Sequence, residues 1–331
     1  MSAPRTAIAS IRRRPGILVR LSAAGGASAL LLTACSGGGP AAAPAAANAK
    51  GQHAKPAAAP AKVTSGPALD FDLAPGNNET VGTGQPVALE FGKPVKNKAA
   101  VEKALTVTTS NNTEGAWGWV TTPAGRDRLD WRPKDPWKTG TTVQVKADLT
   151  AVDPGGAHFT RALDRTFTIG RDQRLVADLD THTLTVKLDG RTTRTIPISG
   201  GEPVKDRASR PGTFAIKTKE QKVRMNSKSV DGPKEYDKDV FWAMRFSDSG
   251  GYLHAAPWAD ENGDLGHRNG SAGCIGMSDT DATWLFKHSL LGDLVTVKGK
   301  EATTDLGGPG NGYADWTLTW TQWQTKSAVH N

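Results

Sequence analysis

His254-Ala255-Ala256-Pro257-Trp258 and, a few residues on, Gly266-His267-Arg268-Asn269-Gly270-Ser271-Ala272-Gly273-Cys274-Ile275-Gly276-Met277-Ser278 form the stretch from which this chain is best read. A strand-like segment, 251–254, ends at His254. Ser278, with Asp281 three positions later, caps a helix carrying Ala282, Leu285, Phe286 and Leu290 near helical spacing, which Gly292 stops. Between strand end and helix start lie a histidine and a cysteine twenty positions apart. A thiol attacks only as thiolate, and a histidine within hydrogen-bond reach both lowers its pKa and later protonates a leaving amine. Gly273 permits a tight turn and close approach of substrate to the backbone, so that the N–H groups of Ala272, Gly273 and Cys274 face a developing oxyanion. A Gly-Cys pair alone is equally compatible with a buried, inert cysteine.

Outward from this stretch the pattern is mainly β. Residues 175–179 and 183–188 alternate, Asp189-Gly190 makes a hairpin turn, and 191–199 returns; 212–218, 240–246 and 294–298 also read as strands. Upstream, between 67 and 170, period-two pairs such as Val87, Leu89 and Phe91, Trp117 and Trp119, Val143 and Val145, and Phe167 and Ile169 predict six or seven short strands. That spacing fits an immunoglobulin-like sandwich without an inter-sheet disulfide. Its expected role is spacing or positioning, or direct ligand binding by exposed aromatics.

The amino-terminal portion has a different character. Arg5, Arg12, Arg13, Arg14 and Arg20 precede a weakly apolar run, 21–34, which is shorter than the roughly 20 residues needed to cross a bilayer core. Residues 1–34 read as a signal peptide, and Leu32-Thr33-Ala34-Cys35 resembles a bacterial lipobox, which implies lipidation of Cys35. Residues 35–66, dominated by Ala and Pro, cannot bury enough apolar surface to fold and read as a tether. The expected location is the outer face of the cytoplasmic membrane, facing the wall. Removal of the five leader arginines takes the formal charge from +8 to about +3, which with no basic and aromatic interleaving argues against a nucleic-acid partner. With Cys35 lipidated, Cys274 has no disulfide partner and is a candidate reactive thiol.

The histidine, the sixteen residues separating it from Ser271, and Ser271-Ala272-Gly273-Cys274 together resemble the active-site signature of L,D-transpeptidases with a YkuD-type catalytic domain, especially the mycobacterial kind. The resemblance extends to the lipobox, the linker, the immunoglobulin-like domain, a catalytic domain at 171–299, and a Trp-rich tail at 300–331, with Trp316, Trp320 and Trp323, that implies packing on the catalytic domain. It implies that Cys274 is acylated, His254 is its base, Tyr236 lies on a flap over the substrate, Ser271 contacts substrate, and Trp242 matches a tryptophan on the next strand, a residue that by itself reads as core packing. The implied reaction is formation of 3→3 peptidoglycan cross-links. Cys274 attacks a tetrapeptide stem, D-Ala leaves, and the acyl group passes to an amine of a neighbouring stem. Stem peptides are the implied partners and carbapenem β-lactams the implied covalent inhibitors, with no cofactor.

Ala272 departs from the histidine usual there, Ala255 from a frequent serine, and Gly276 from a polar residue. If the residue after His254 holds the imidazole through its carbonyl, alanine serves as well as serine. His267 reads as a loop residue rather than an alternative base, and His182 and His288 as turn and helix-surface residues, with no metal-ligand cluster. The cysteine context lacks a sortase's arginine, and the order of His before Cys is the reverse of an NlpC/P60 peptidase. A catalytically degenerate wall-binding lipoprotein, or an L,D-carboxypeptidase using water, remains the alternative.

Overall fold

The structure, a computed structural model, describes residues 60–204, 206–226 and 237–329. Cys35, Tyr236, the leader and most of the tether lie outside the described residues.

The first domain contains β1 (Phe71–Ala74), β2 (Thr80–Val81), β3 (Val87–Phe91), α1 (Lys98–Ala104), β4 (Thr106–Thr109), β5 (Gly115–Thr121), β6 (Asp127–Pro133), β7 (Thr142–Ala147) and β8 (Leu163–Ile169). One sheet runs β1-β3-β6-β5 and the other β2-β8-β7-β4. The alternation read from the sequence puts Val87, Leu89, Phe91, Leu129, Val143, Val145 and Phe167 wholly inside one core. In place of a disulfide, aromatic packing fills it: Trp131 stacks on Trp137 at 5.1 Å and Phe91 on Trp119 at 5.6 Å. Trp117 and Trp119 are 9% and 8% exposed, so they supply no exposed aromatic platform for a ligand. The short α1, capped by the Asn97 side chain accepting the Ala100 N–H, has no counterpart in the sequence reading.

The second domain follows with β9 (Gln173–Asp178), β10 (Thr183–Leu188), β11 (Arg191–Pro197), β12 (Gly212–Ala215), β13 (Thr218–Asn226), β14 (Asp237–Arg245), β15 (Tyr252–Ala255), α2 (Pro257–Glu261), β16 (Ile275–Met277), α3 (Asp279–His288) and β17 (Leu294–Lys298). Positive φ angles at Asp189 and Gly190, 49° and 78°, give the expected turn between β10 and β11. One sheet runs β11-β10-β9-β17-β12 and the second β13-β14-β15-β16. Ser278 caps α3 by accepting the Asp281 N–H, and Ala282 and Leu285 of that helix are buried in the core with Met244, Leu253 and Ile275. The β15–β16 pair is parallel, with His254 opposite Gly276. This one register brings the two halves of the quoted stretch together.

The tail, with α4 (Trp320–Gln324), touches both domains. Its earlier residues lie on the second: Ala215 N–H donates to the Tyr313 carbonyl at 3.2 Å, and Ser249 N–H to Asn311 Oδ1 at 2.8 Å. Its later residues lie on the first, where Trp119 N–H donates to the Lys326 carbonyl at 2.9 Å and Trp323 Nε1–H to the Ala116 carbonyl at 3.0 Å. Arg132 of β6 sits 4.9 to 5.5 Å from the ring centres of Trp316, Trp320 and Trp323. Fully buried Arg128 binds Asp130 through its Nε at 2.9 and 2.8 Å and donates to the Gly312 carbonyl at 2.6 Å. Packing on the catalytic domain was the expectation, and the earlier tail residues pack there; the aromatic side chains of the tail also reach the sandwich, where Arg132 and Gly118 face them.

Candidate active site

Cys274 and His254 open onto one cavity of about 320 Å³, which Ser199, Arg207, Lys238, Trp258, Ser271, Ala272 and Gly276 also line. The parallel pairing explains the juxtaposition: Cys274 enters β16 beside the strand that ends just past His254. His254 is 4% exposed, and its Nδ1 lies 2.7 Å from the Ala255 carbonyl. A carbonyl can only accept, so Nδ1 carries the proton and Nε2 is left with a free lone pair. Ala255 serves here through its backbone, as its identity in the sequence allowed. The imidazole also lies 5.9 Å from the Trp258 ring.

The thiol does not follow the simplest expectation. Cys274 Sγ–H donates to the Gly250 carbonyl at 3.3 Å rather than to His254. Burial pushes the thiol up to about 11 and the imidazole down to about 4, the latter aided by the charge of Lys238. At neutral pH the resting pair is therefore a thiol beside an uncharged imidazole, not a thiolate beside an imidazolium. Low dielectric opposes charge separation until a substrate supplies compensating interactions.

The segment before the cysteine is held as a rigid hook. Ser271 Oγ–H donates to the Cys274 carbonyl at 2.6 Å, and the same oxygen accepts the Gly273 N–H at 3.1 Å. Two of the three expected oxyanion donors therefore remain: among the described residues the N–H groups of Ala272 and Cys274 have no hydrogen-bond partner, whereas that of Gly273 is consumed locally. Ser271 accordingly shapes the turn with its hydroxyl, though it borders the cavity where substrate contact was expected. Gly273 has φ +114°, a conformation open to glycine and strained for other residues. Its carbonyl is fixed by Ser209 Oγ–H at 3.0 Å. Gly276 lets β16 approach closely, since a Cβ there would fall 2.7 Å from the Ala256 Cβ and 4.0 Å from the His254 Cε1.

Residues that the sequence reading passed over complete the frame. Asn269, 4% exposed, accepts the Gly200 N–H and donates to the Leu179 carbonyl, tying the cysteine loop to the first sheet of this domain. Buried Asn311 holds Ser249 through two bonds, at 2.8 and 2.9 Å, and so steadies the loop that offers the Gly250 carbonyl to the thiol. Both lie next to glycines, the one available signal that their loops are tightly built. His267 and His182 line a second cavity of about 380 Å³ with Glu202 and Glu301, away from the thiol. His288 stacks on Trp284 on α3, and Trp242 packs against Phe286 at 5.5 Å.

An immunoglobulin-like sandwich is thus followed by a β-domain in which a cysteine and a histidine share one cavity. Residues 43–153 match the bacterial Ig domain, and residues 172–297 the L,D-transpeptidase catalytic domain. The chain is 36% identical over 262 residues to L,D-transpeptidase 2 of Mycobacterium tuberculosis, an alignment covering 77% of this chain and 61% of that protein. It is 32% identical over 234 residues to L,D-transpeptidase 1 of the same species, covering 69% of this chain and 84% of that one. The structure of an L,D-transpeptidase in complex with imipenem superposes with a TM-score of 0.59 at 30% identity, over 70% of this chain and 99% of the other. The chain belongs to the L,D-transpeptidase family.

Proposed function

We propose that this protein forms 3→3 peptidoglycan cross-links as an L,D-transpeptidase through an acyl-enzyme on Cys274. The observation that carries the reading is the parallel β15–β16 register, which sets Cys274, the unpartnered N–H groups of Ala272 and Cys274, and the Nε2 lone pair of His254 around one cavity. As the sulfur attacks the carbonyl between the L-centre of meso-diaminopimelate and D-Ala, its proton passes to His254 Nε2. The imidazole is an available base at neutral pH because burial keeps it uncharged. The oxyanion is received by the backbone N–H groups. Collapse breaks the C–N bond, D-Ala leaves with the proton from His254, and a thioester remains. An amine of a neighbouring stem then attacks the thioester, His254 takes its proton, and the thiol is regenerated. Imipenem, bound by the structural relative, has a strained amide suited to the same attack.

Cys274→Ala should abolish D-Ala release from a tetrapeptide stem and any covalent imipenem adduct in intact-mass spectra. His254→Gln should lose turnover, while His267→Gln, in the other cavity, should retain it. A persisting adduct on Cys274→Ala would remove the thiol from the nucleophile role. We further infer that residues 1–34 direct export and that lipidated Cys35 tethers the protein to the outer face of the cytoplasmic membrane, a reading supported by the basic leader and Leu32-Thr33-Ala34-Cys35. Cys35→Ala should release the protein from membranes; continued retention, with no lipid mass on the wild-type protein, would defeat the anchor.

A further inference from the structure

Three cations line the active-site cavity, and they are not equivalent. Arg207 is paired with Glu202, and Arg268 binds Asp264 at 2.6 Å. Lys238 has no carboxylate partner among the described residues. On the same hairpin Arg224 is neutralised by Asp237 and Asp239, and Lys222 by Asp239 at 2.7 Å. The alternation of β14 separates the two sets: Asp237 and Asp239 carry these ion pairs, while Lys238 and Val240 line the cavity. The half-buried ammonium of Lys238 lies 3.9 Å from the centre of the Trp258 ring, and that ring neighbours the imidazole of His254.

A cation with no carboxylate partner among the described residues works against the resting chemistry, because its field lowers the proton affinity of the base that must receive the thiol proton. Parking it on an indole face satisfies it in part while leaving its three donors adaptable. An arriving carboxylate would pair with it, cancel the field at His254 and strengthen the base only when substrate is present. We propose that Lys238 is the specificity-determining residue that receives a carboxylate of the donor stem peptide. The assignment rests on the transpeptidase reading for its substrate class. Such a peptide carries carboxylates on its terminal D-Ala, on the D-centre of diaminopimelate and on glutamate, and amidating each in turn distinguishes them.

The test uses the full chain carrying Cys274→Ala, which binds without turnover, and calorimetric titration with a synthetic tetrapeptide stem bearing all carboxylates free or one amidated. Amidation at one position should weaken binding about tenfold, the scale of one charge-assisted hydrogen bond in a partly exposed site. Adding Lys238→Met should reduce the free acid to the affinity of that amide without further weakening the amide. Lys238→Arg should stay within about threefold of the lysine protein, since it keeps the charge. Equal affinity for the acid and all three amides, or the same loss for every peptide on Lys238→Met, would overturn the assignment. D-Ala release is measured separately on the chain that retains Cys274. Its absence alongside acid-selective binding would remove the reaction and leave the carboxylate site standing.

Discussion

Ser271→Ala removes a single oxygen and both bonds that close the hook around Cys274. The lost contacts are the 2.6 Å bond to the Cys274 carbonyl and the 3.1 Å bond from the Gly273 N–H. At about 0.5–1.5 kcal/mol net for each, the variant should lose roughly 1–3 kcal/mol of stability. Catalysis should suffer more than stability, because the turn aims both the thiol and the candidate oxyanion donors, and a displacement near 1 Å costs on the order of 10²-fold in rate. Thermal denaturation and the time course of imipenem acylation by intact mass measure the two effects on one preparation. Ser271→Thr, which keeps the hydroxyl, should recover most of the acylation rate. The freed Gly273 N–H offers a built-in opposite outcome: as an extra oxyanion donor it would speed acylation. An unchanged or faster rate in Ser271→Ala, with melting unaltered, would refute the view that the hydroxyl organises the site.

With the thiol raised to about 11 and the imidazole lowered to about 4, alkylation of Cys274 by iodoacetamide should rise nearly tenfold per pH unit from pH 6 to 9; a plateau with an inflection between pH 5 and 7 would instead reveal a thiolate–imidazolium pair. Ala272→Pro, which removes one of the two unpartnered N–H groups, should slow imipenem acylation about 10²-fold in stopped-flow fluorescence, whereas Ala272→Gly should change it only a few-fold. Wholly buried Trp323, bonded to Ala116 and packed over Gly118, should cost about 3–5 kcal/mol on truncation to alanine, read by chemical denaturation. A loss below about 1 kcal/mol would show that the tail does not brace the sandwich.

The candidate residues stand close in the sequence, where short-range rules marked them and the resemblance to L,D-transpeptidases supplied their expected roles. Period-two alternation located β10, Asp189-Gly190 the hairpin turn from it into β11, and Ser278 with Asp281 the start of α3. His254 and Cys274 were legible because a strand end and a helix start bracket a glycine-bearing loop. Local pattern could not give the β15–β16 register, since a parallel pair is made by a crossover and not by a turn. Nor could it give the ionisation of the site, because the positions of both pKa values are set by burial among residues distant in the chain. Ser271 and Gly273 were identified, but only the folded hook decided that a hydroxyl spends the Gly273 N–H inside the turn. Likewise Lys238 is one lysine among many until the alternation of β14 turns it towards Trp258 and leaves Asp237 and Asp239 to neutralise its neighbours. Residue types and their order determined which groups were available for acyl transfer; long-range strand pairing and the low dielectric it creates decided which are neutral, which are held, and which remain free to meet a substrate.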